Sequence, residues 1–232
     1  MFNSLLIIAF IILCIVLAYK SHNSVRTIGG SLKQFGLIFH IAGAPGSGKT
    51  WVGDYIKKKF PEIEVYDTDF ILKYNDLMDE CDKMIKKDDS VYGVDNAGGY
   101  FVNKYNAVID KIIEKNNKKR HPKNILFVGL PNYNYLDKMF ASKLSQIADY
   151  KYFINISLEA LAKNVLYRNY INPLCGNKKF IDALIKGKQG LSAFHKDYTT
   201  DGYMWLKDKY LPLGYKDLSQ LAINNAISKN LF

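Results

Sequence analysis

The sequence predicts an α/β fold with a mainly parallel β-sheet, preceded by one N-terminal transmembrane helix. Three observations lead to this expectation: short apolar segments alternate with amphipathic helical patterns, a glycine-rich turn joins the first such pair, and residues 1–19 carry no charged side chain. Strands that alternate with helices favour parallel pairing, because each helix returns the chain to the starting edge of the sheet. A chain of 232 residues suits one domain with a substantial core.

Four short apolar segments are typical of buried strands, and helical patterns follow two of them. The first strand-like segment leads into the glycine-rich turn, and a helix begins near Lys49. Apolar residues recur every three or four positions over 102–113 and again over 158–166, as on one face of a helix. No strong fifth strand is evident, and 211–223 predicts a loop and a closing helix. The strand candidates are 37–42, 63–67, 124–129 and 152–157.

Residues 1–19, MFNSLLIIAFIILCIVLAY, would extend roughly 28 Å as a helix, close to the thickness of a bilayer. A cleaved signal peptide is the alternative, with Val16-x-Ala18 as its cleavage site, but the basic leader of such peptides is missing. We therefore expect a retained, single-pass membrane anchor. Lys20, Arg26 and Lys33 follow it, and positive charge on that side predicts that the rest of the chain faces the cytoplasm.

The remaining chain divides by composition into a linker and one domain. Residues 20–36 are polar and contain a Gly-Gly pair, which predicts a linker, and residues 37–232 predict the folded domain. Within that domain 70–123 predicts an insertion, most clearly over the polar and poorly periodic stretch 70–99.

The formal net charge is +10, and almost all of the basic residues are lysines. Lysine clusters at 57–59, 86–87, 118–119 and 178–179 would suit a polyanion, but they are spread along the chain instead of forming one stripe. The sequence is therefore compatible with nucleic acid as a partner but does not require one. The three cysteines are too scattered for a disulfide framework or a CxxC metal site, and the four histidines lack metal-ligand spacing.

The segment GAPGSGKT, residues 43–50, matches the phosphate-binding pattern G-x-x-x-x-G-K-[ST] at every fixed position. Its glycines let main-chain amides converge on phosphate oxygens. Lys49 brings an ammonium group to the β- and γ-phosphates, the Thr50 hydroxyl can ligate Mg²⁺, and the following helix directs its positive dipole end at the anion. We therefore expect a nucleoside triphosphate site, with ATP and Mg²⁺ as cofactors. Its residues are Gly43, Ala44, Pro45, Gly46, Ser47, Gly48, Lys49, Thr50 and Trp51.

The order of elements over about residues 37–174 resembles that of the P-loop kinases of small molecules and nucleotides. It consists of a strand, GAPGSGKT, a helix and a second strand ending in Asp67-Thr68-Asp69. The resemblance implies the three-layer sandwich of P-loop NTPases and transfer of the γ-phosphate of ATP to an acceptor. That acceptor would be a small molecule, a nucleotide or a polynucleotide end.

The same resemblance implies the roles of individual residues. Asp67 and Asp69 would face the acceptor, Gly129 at the end of the third strand would contact it, and Arg168 would belong to a lid-like region at 165–200. Residues 70–123 would then lie on the acceptor side. The segment Ile171 to Cys175, INPLC, departs from the Arg-Pro-Leu of shikimate kinase-like lids, because Asn172 stands at the arginine position.

The chemistry of phosphoryl transfer agrees with these roles, because it consists mostly of positioning and of neutralising charge. In a continuing strand Asp67 and Asp69 would point to one face and could act together, whereas the alternative is that Asp-Thr-Asp only caps the next helix. Arg168 continues the helical row 158–161–165, and Arg120, in the charged run NNKKRH, is more typical of a solvated surface. The expected catalytic residues are Lys49, Asp67, Asp69 and Arg168.

Two other functions fit parts of the sequence. A membrane-anchored GTPase or ATPase would use Asp95-x-x-Gly98 to sense the γ-phosphate, but no guanine-reading Asn-Lys-x-Asp motif occurs in the chain. A nucleotide-binding module without transfer chemistry would need only the loop.

Overall fold

A computed structural model describes residues 27–28, 31–32, 36–43, 46–129, 132–135, 138–154 and 210–218. The predicted anchor at 1–19, most of the linker, the helix at 158–166 and the lid-like region with Arg168 lie outside these residues. Among the helices that are described, none is both long enough and apolar enough to cross a membrane.

Strands and helices alternate along the described residues, as the sequence predicts. The strands are β1 (Thr27–Ile28), β2 (Ser31–Leu32), β3 (Ile38–Gly43), β4 (Ile63–Asp67), β5 (Asn124–Val128), β6 (Asn132–Tyr135), β7 (Lys138–Ala141), β8 (Tyr150–Ile154) and β9 (Lys216–Asp217). The helices are α1 (Lys49–Lys59), α2 (Thr68–Ile71), α3 (Tyr74–Lys87), α4 (Val91–Asn117) and α5 (Leu144–Ile147), and a 3-10 helix covers Leu211–Leu213.

A mainly parallel five-stranded sheet in the order β4-β5-β3-β8-β9 confirms the predicted α/β fold with a mainly parallel sheet. β5 pairs in parallel with both β3 and β4, and β8 pairs in parallel with β9. Two small antiparallel pairs, β1 with β2 and β6 with β7, accompany the sheet. The β1–β2 pair lies within the predicted linker at 20–36. The expectation that 211–223 holds no strand missed β9.

The stretch 70–99, which we expected to be an insertion, forms α3 and the first part of α4. On α3 the buried residues Leu77, Cys81 and Ile85 recur every four positions. They pack in one core with buried residues of α4 and β5. These are Val94, Ala97, Phe101, Tyr105, Ile109, Ile125 and Phe127.

The described residues form two compact units. One holds the residues up to Ala42 and those from Thr50 to Lys151, and the other holds Gly43–Lys49 and the described residues from Tyr152 onward. In the second unit the ring of Tyr210 stacks on Phe153 at 5.8 Å and meets Tyr215 edge-on at 5.0 Å. Gly214, at φ 82°, turns the chain so that β9 runs beside β8.

Helix α4 is long compared with the strands it accompanies. Its 27 residues extend roughly 40 Å, whereas the five residues of β5 extend roughly 17 Å. Because α4 ends just before β5 begins, its first half lies beyond the carboxyl ends of β4 and β5. There it contacts β6 and β7, and Gly98 faces the ring of Phe140 so closely that an added Cβ would stand 2.2 Å from it.

Candidate functional site

The glycine-rich loop folds back over the end of β3. A Cβ at Gly43 would stand 2.4 Å from Ser47 Oγ and 3.4 Å from Ile154 Cβ. The first distance is well inside van der Waals contact, so this turn requires glycine at position 43. Ser47 is buried, and its Oγ has no hydrogen-bond partner in the described part of the chain.

The backbone of the loop alternates in handedness. Gly46 and Gly48 have φ values of 85° and 90°, whereas Ser47 between them has no positive φ. Such alternation turns successive N–H groups toward one side and forms a concavity that binds anions. A Cβ at Gly48 would meet nothing within 4 Å, so its glycine is needed for the backbone angle and not for space.

Lys49 is the first residue of α1 and is only 7% exposed. A buried ammonium group is costly unless negative charge or hydrogen-bond acceptors lie within reach. The phosphates of a nucleotide held by the preceding loop would supply such charge. Trp51, two residues on, is 46% exposed and stacks on Tyr55 at 5.6 Å. Ala44 and Pro45 lie outside the described residues.

Thr50 and Asp67 are hydrogen-bonded across seventeen positions of sequence. The Thr50 hydroxyl donates to Asp67 Oδ2 at 3.0 Å. Because the Thr50 proton is used in this bond, the lone pairs of Thr50 Oγ1 remain for a cation. A hydroxyl and a carboxylate are hard oxygen ligands, which fit Mg²⁺.

Asp67 also caps α2. Its Oδ1 accepts hydrogen bonds from the N–H groups of Asp69 at 3.0 Å and Phe70 at 3.3 Å. The expectation that Asp67 and Asp69 alternate along one strand is therefore wrong, because β4 ends at Asp67 and Asp69 belongs to α2. The capping alternative is confirmed for Asp67, which keeps its second carboxylate oxygen for Thr50.

Gly129 lies where β5 ends, packed against α2. Its φ is 139°, and an added Cβ would stand 1.8 Å from Thr68 Oγ1 and 3.1 Å from Asp69 Oδ1. The buried Thr68 hydroxyl donates to the Val128 carbonyl at 3.1 Å and holds α2 against the end of β5. Of the three residues that the resemblance places near the acceptor, Asp67, Asp69 and Gly129, the last two are thus neighbours in the structure.

His40 supports the same strand end from β3. Its side chain is fully buried, and Nε2 donates to the Gly129 carbonyl at 3.2 Å. Desolvation by burial lowers the pKa of His40 from 6.5 to about 3, with a smaller contribution from the positive charge of Lys151. The sequence showed His40 only as an isolated histidine, because nothing local reveals its partner.

We expect the stability of this protein to fall as the pH drops below 6.5. In the unfolded state His40 binds a proton below about pH 6.5, whereas in the folded state it stays neutral down to about pH 3, so acid favours the unfolded state. At pH 5 the loss attributable to His40 is about 2 kcal/mol. His40→Gln keeps a donor for the Gly129 carbonyl. Its free energy of unfolding, measured by chemical denaturation at pH 7.5, 6 and 5, should fall less with decreasing pH than that of wild type. The exposed His121 provides a matched control variant, His121→Gln, measured alongside. Equal slopes for His40→Gln and wild type would contradict the prediction.

Arg120 lies away from this edge of the sheet. It is exposed and precedes the amino end of β5, whereas Asp67 and Gly129 lie at the carboxyl ends of parallel strands. The surface interpretation of Arg120 is therefore correct. Arg168 lies outside the described residues, and its role stays a prediction.

The three lysine clusters in the described part of the chain have a local explanation. Lysines 57–59 form the last turn of α1, lysines 86–87 form the last turn of α3, and Lys118 caps α4. Positive charge at the carboxyl end of a helix is stabilising. Lys119 forms an ion pair with Glu64.

The motif Asp95-x-x-Gly98 lies inside α4, where Gly98 is buried against Phe140. It follows no strand and forms no loop, so it lacks the structure expected of a γ-phosphate switch.

No protein-family model matches this chain, and a comparison with curated proteins found no similar sequence. Within the part of the chain that is described, no three side chains of the metal-ligating types lie together.

Proposed function

We propose that this protein is an ATP-dependent phosphotransferase of the P-loop kinase type, with the three-layer sandwich of that class. One observation carries the proposal: GAPGSGKT ends in Thr50, whose hydroxyl donates a hydrogen bond to the carboxylate of Asp67 at the end of β4. A glycine turn with only a structural purpose needs neither the buried Lys49 nor the Thr50–Asp67 pair.

Each residue of the loop has a defined task in this proposal. The amides around Gly46 and Gly48 bind phosphate oxygens, and Lys49 neutralises charge on the β- and γ-phosphates. Thr50 and Asp67 hold Mg²⁺, with Asp67 also orienting the Thr50 hydroxyl. Bound Mg²⁺ would neutralise the charge that develops on the transferring phosphoryl group.

Asp69 is the residue that we assign to the acceptor. Asp67 is already engaged by the α2 cap and by Thr50, whereas Asp69 lies over Gly129. An acceptor hydroxyl oxygen forms the bond to the γ-phosphorus, the bond to the β,γ-bridging oxygen breaks, and ADP leaves. The proton of the hydroxyl passes to the Asp69 carboxylate or to water. Arg168 would stabilise the transferring group.

The alternatives are less well supported. A GTPase lacks its guanine-reading motif, and Asp95 lies on a helix. A binding module without transfer would not need a second carboxylate beside Gly129. Attachment to a membrane through residues 1–19 stays part of the proposal on sequence grounds alone.

The test is transfer of labelled γ-phosphate from ATP to a panel of nucleosides, nucleotides, sugars and nucleic-acid ends. Asp69→Asn should lower transfer about 10²-fold or more while leaving ATP affinity within about threefold. Asp67→Asn should weaken both transfer and the Mg²⁺ dependence of ATP binding. Asp54→Asn, at an exposed position of α1, is the matched control and should behave as wild type.

Tight ATP binding without phosphorylation of any acceptor would favour the binding module. Tighter binding of GTP than of ATP would favour the GTPase. Normal turnover by Asp69→Asn would remove the acceptor-side assignment.

A further inference from the structure

Phe70 presents a large aromatic ring to solvent beside Asp69. Its side chain is 84% exposed, although its backbone is fixed: its N–H donates to Asp67 Oδ1 at 3.3 Å within α2. The same short helix is held by the Thr68 hydroxyl on the Val128 carbonyl. The ring therefore extends from a well-anchored backbone.

Packing does not explain this aromatic residue. The inward positions of the segment are filled by Thr68, which is buried, and by Ile71 and Leu72, which pack against the core of α3, α4 and β5. A polar residue at position 70 would serve the fold equally well. A phenylalanine here exposes apolar surface of the kind that binds flat, apolar or π-rich partners.

The neighbours of Phe70 indicate what such a partner contains. Asp69 is the adjacent residue, and its Oδ1 lies 3.1 Å from the position of a Cβ at Gly129, at the carboxyl end of β5. A carboxylate can accept a hydrogen bond from a hydroxyl group, and an aromatic ring can stack on the face of a heterocycle. A nucleoside carries a hydroxyl and a flat base on one sugar ring, so two consecutive residues can contact both.

We propose that Phe70 stacks against the nucleobase of the phosphate acceptor, so that the acceptor is a nucleoside, a nucleotide or a polynucleotide end. This inference rests on the proposed phosphotransferase function and narrows its acceptor class. Sugars and small acids lack a flat π-system to stack on Phe70, so we expect them to be poorer acceptors. The transfer step is unchanged: the hydroxyl oxygen attacks the γ-phosphorus, ADP leaves, and the proton passes to Asp69 or water.

The experiment compares acceptor kinetics of the full chain with labelled ATP. Three arms distinguish the sources of the base: nucleosides, nucleoside monophosphates and a short oligonucleotide. A fourth, base-free arm uses ribose and ribose 5-phosphate. Phe70→Ala should raise the KM for the base-bearing acceptor about tenfold or more. Phe70→Trp should restore it, and the thermal shift with Mg-ATP should stay at the wild-type value in both variants.

Tyr92→Ala is the matched control, because Tyr92 is also an exposed aromatic residue, 72% exposed, but lies in the first turn of α4. Its KM values should equal those of wild type. Equal use of ribose and nucleosides, or an unchanged KM for Phe70→Ala, would overturn the inference and leave the proposed function intact.

A binding measurement separates the two proposals. In Phe70→Trp combined with Trp51→Phe and Trp205→Phe, which removes both natural tryptophans, nucleoside monophosphate should quench the fluorescence of the new tryptophan, whereas ribose 5-phosphate should not. Absence of transfer to every acceptor would overturn the proposed function, and this quenching would still decide whether Phe70 binds a base. No quenching by any base-bearing compound would overturn the inference.

Discussion

Lys49→Ala is expected to abolish the stabilisation that Mg-ATP gives the intact protein. With ATP about 100-fold above Kd, binding adds about 2.7 kcal/mol, or roughly 5–10 °C in Tm for a chain of this size. Lys49 is a buried residue at the end of the glycine-rich loop. Under the proposed function, its loss would leave the charge of the bound phosphates uncompensated. Phosphoryl transfer should fall by about 10²–10³-fold, as when one preorganised charge-stabilising group is removed.

Two further variants make this test specific. Lys49→Met keeps the apolar stem and removes the charge, so it should lose the ATP-dependent shift to the same extent as Lys49→Ala. Lys57→Ala, in the exposed last turn of the same helix, should keep the full shift. Differential scanning fluorimetry with and without Mg-ATP gives each shift relative to its own apo protein. A wild-type shift in Lys49→Met would remove the phosphate-loop assignment.

Gly129→Ala should destabilise the protein by about 3 kcal/mol or more, since it combines two costs. An alanine at φ 139° is strained, and its Cβ would stand 1.8 Å from Thr68 Oγ1. Relief of the clash requires α2 to move, which would disturb the Asp67 cap and the position of Asp69. Urea denaturation gives the stability change, and the transfer assay should show that activity falls in the fraction that remains folded.

Gly99→Ala is the matched control for this substitution. Gly99 is exposed on α4, and an added Cβ would meet nothing within 4 Å, so alanine should stabilise the helix by about 0.5–1 kcal/mol. The double variant Thr68→Ala/Gly129→Ala removes the clashing hydroxyl but keeps the backbone strain, and should recover part of the loss. Stability equal to wild type in Gly129→Ala would show that α2 does not pack against β5 as described.

Local features of the chain were enough to predict most elements of the sheet. The four predicted strand segments are present, because runs of apolar residues and the glycine turn before Lys49 act within a few residues of sequence. The sequence also predicted the cap at Asp67, as an alternative. The reason is local, because an aspartate side chain can accept hydrogen bonds from the N–H groups two and three positions further along the chain. Helix α3 was missed because its apolar stripe includes Cys81 among many charged residues.

Tertiary structure alone decided which residues meet at the site. Nothing within a few positions of sequence indicates that His40 holds the Gly129 carbonyl or that Thr50 reaches Asp67. The two residues of β9 carry no strand pattern of their own, and only pairing with β8 makes them a strand.

The sequence by itself determined the class of fold and the phosphate-binding pattern, because strand and helix periodicity and the turn chemistry of glycine are local properties. The tertiary structure determined that Asp67 serves Thr50 while Asp69 lies over Gly129, and that Phe70 stays exposed. These outcomes depend on strand order and on packing between residues far apart in the chain, and burial is a property of the folded molecule as a whole.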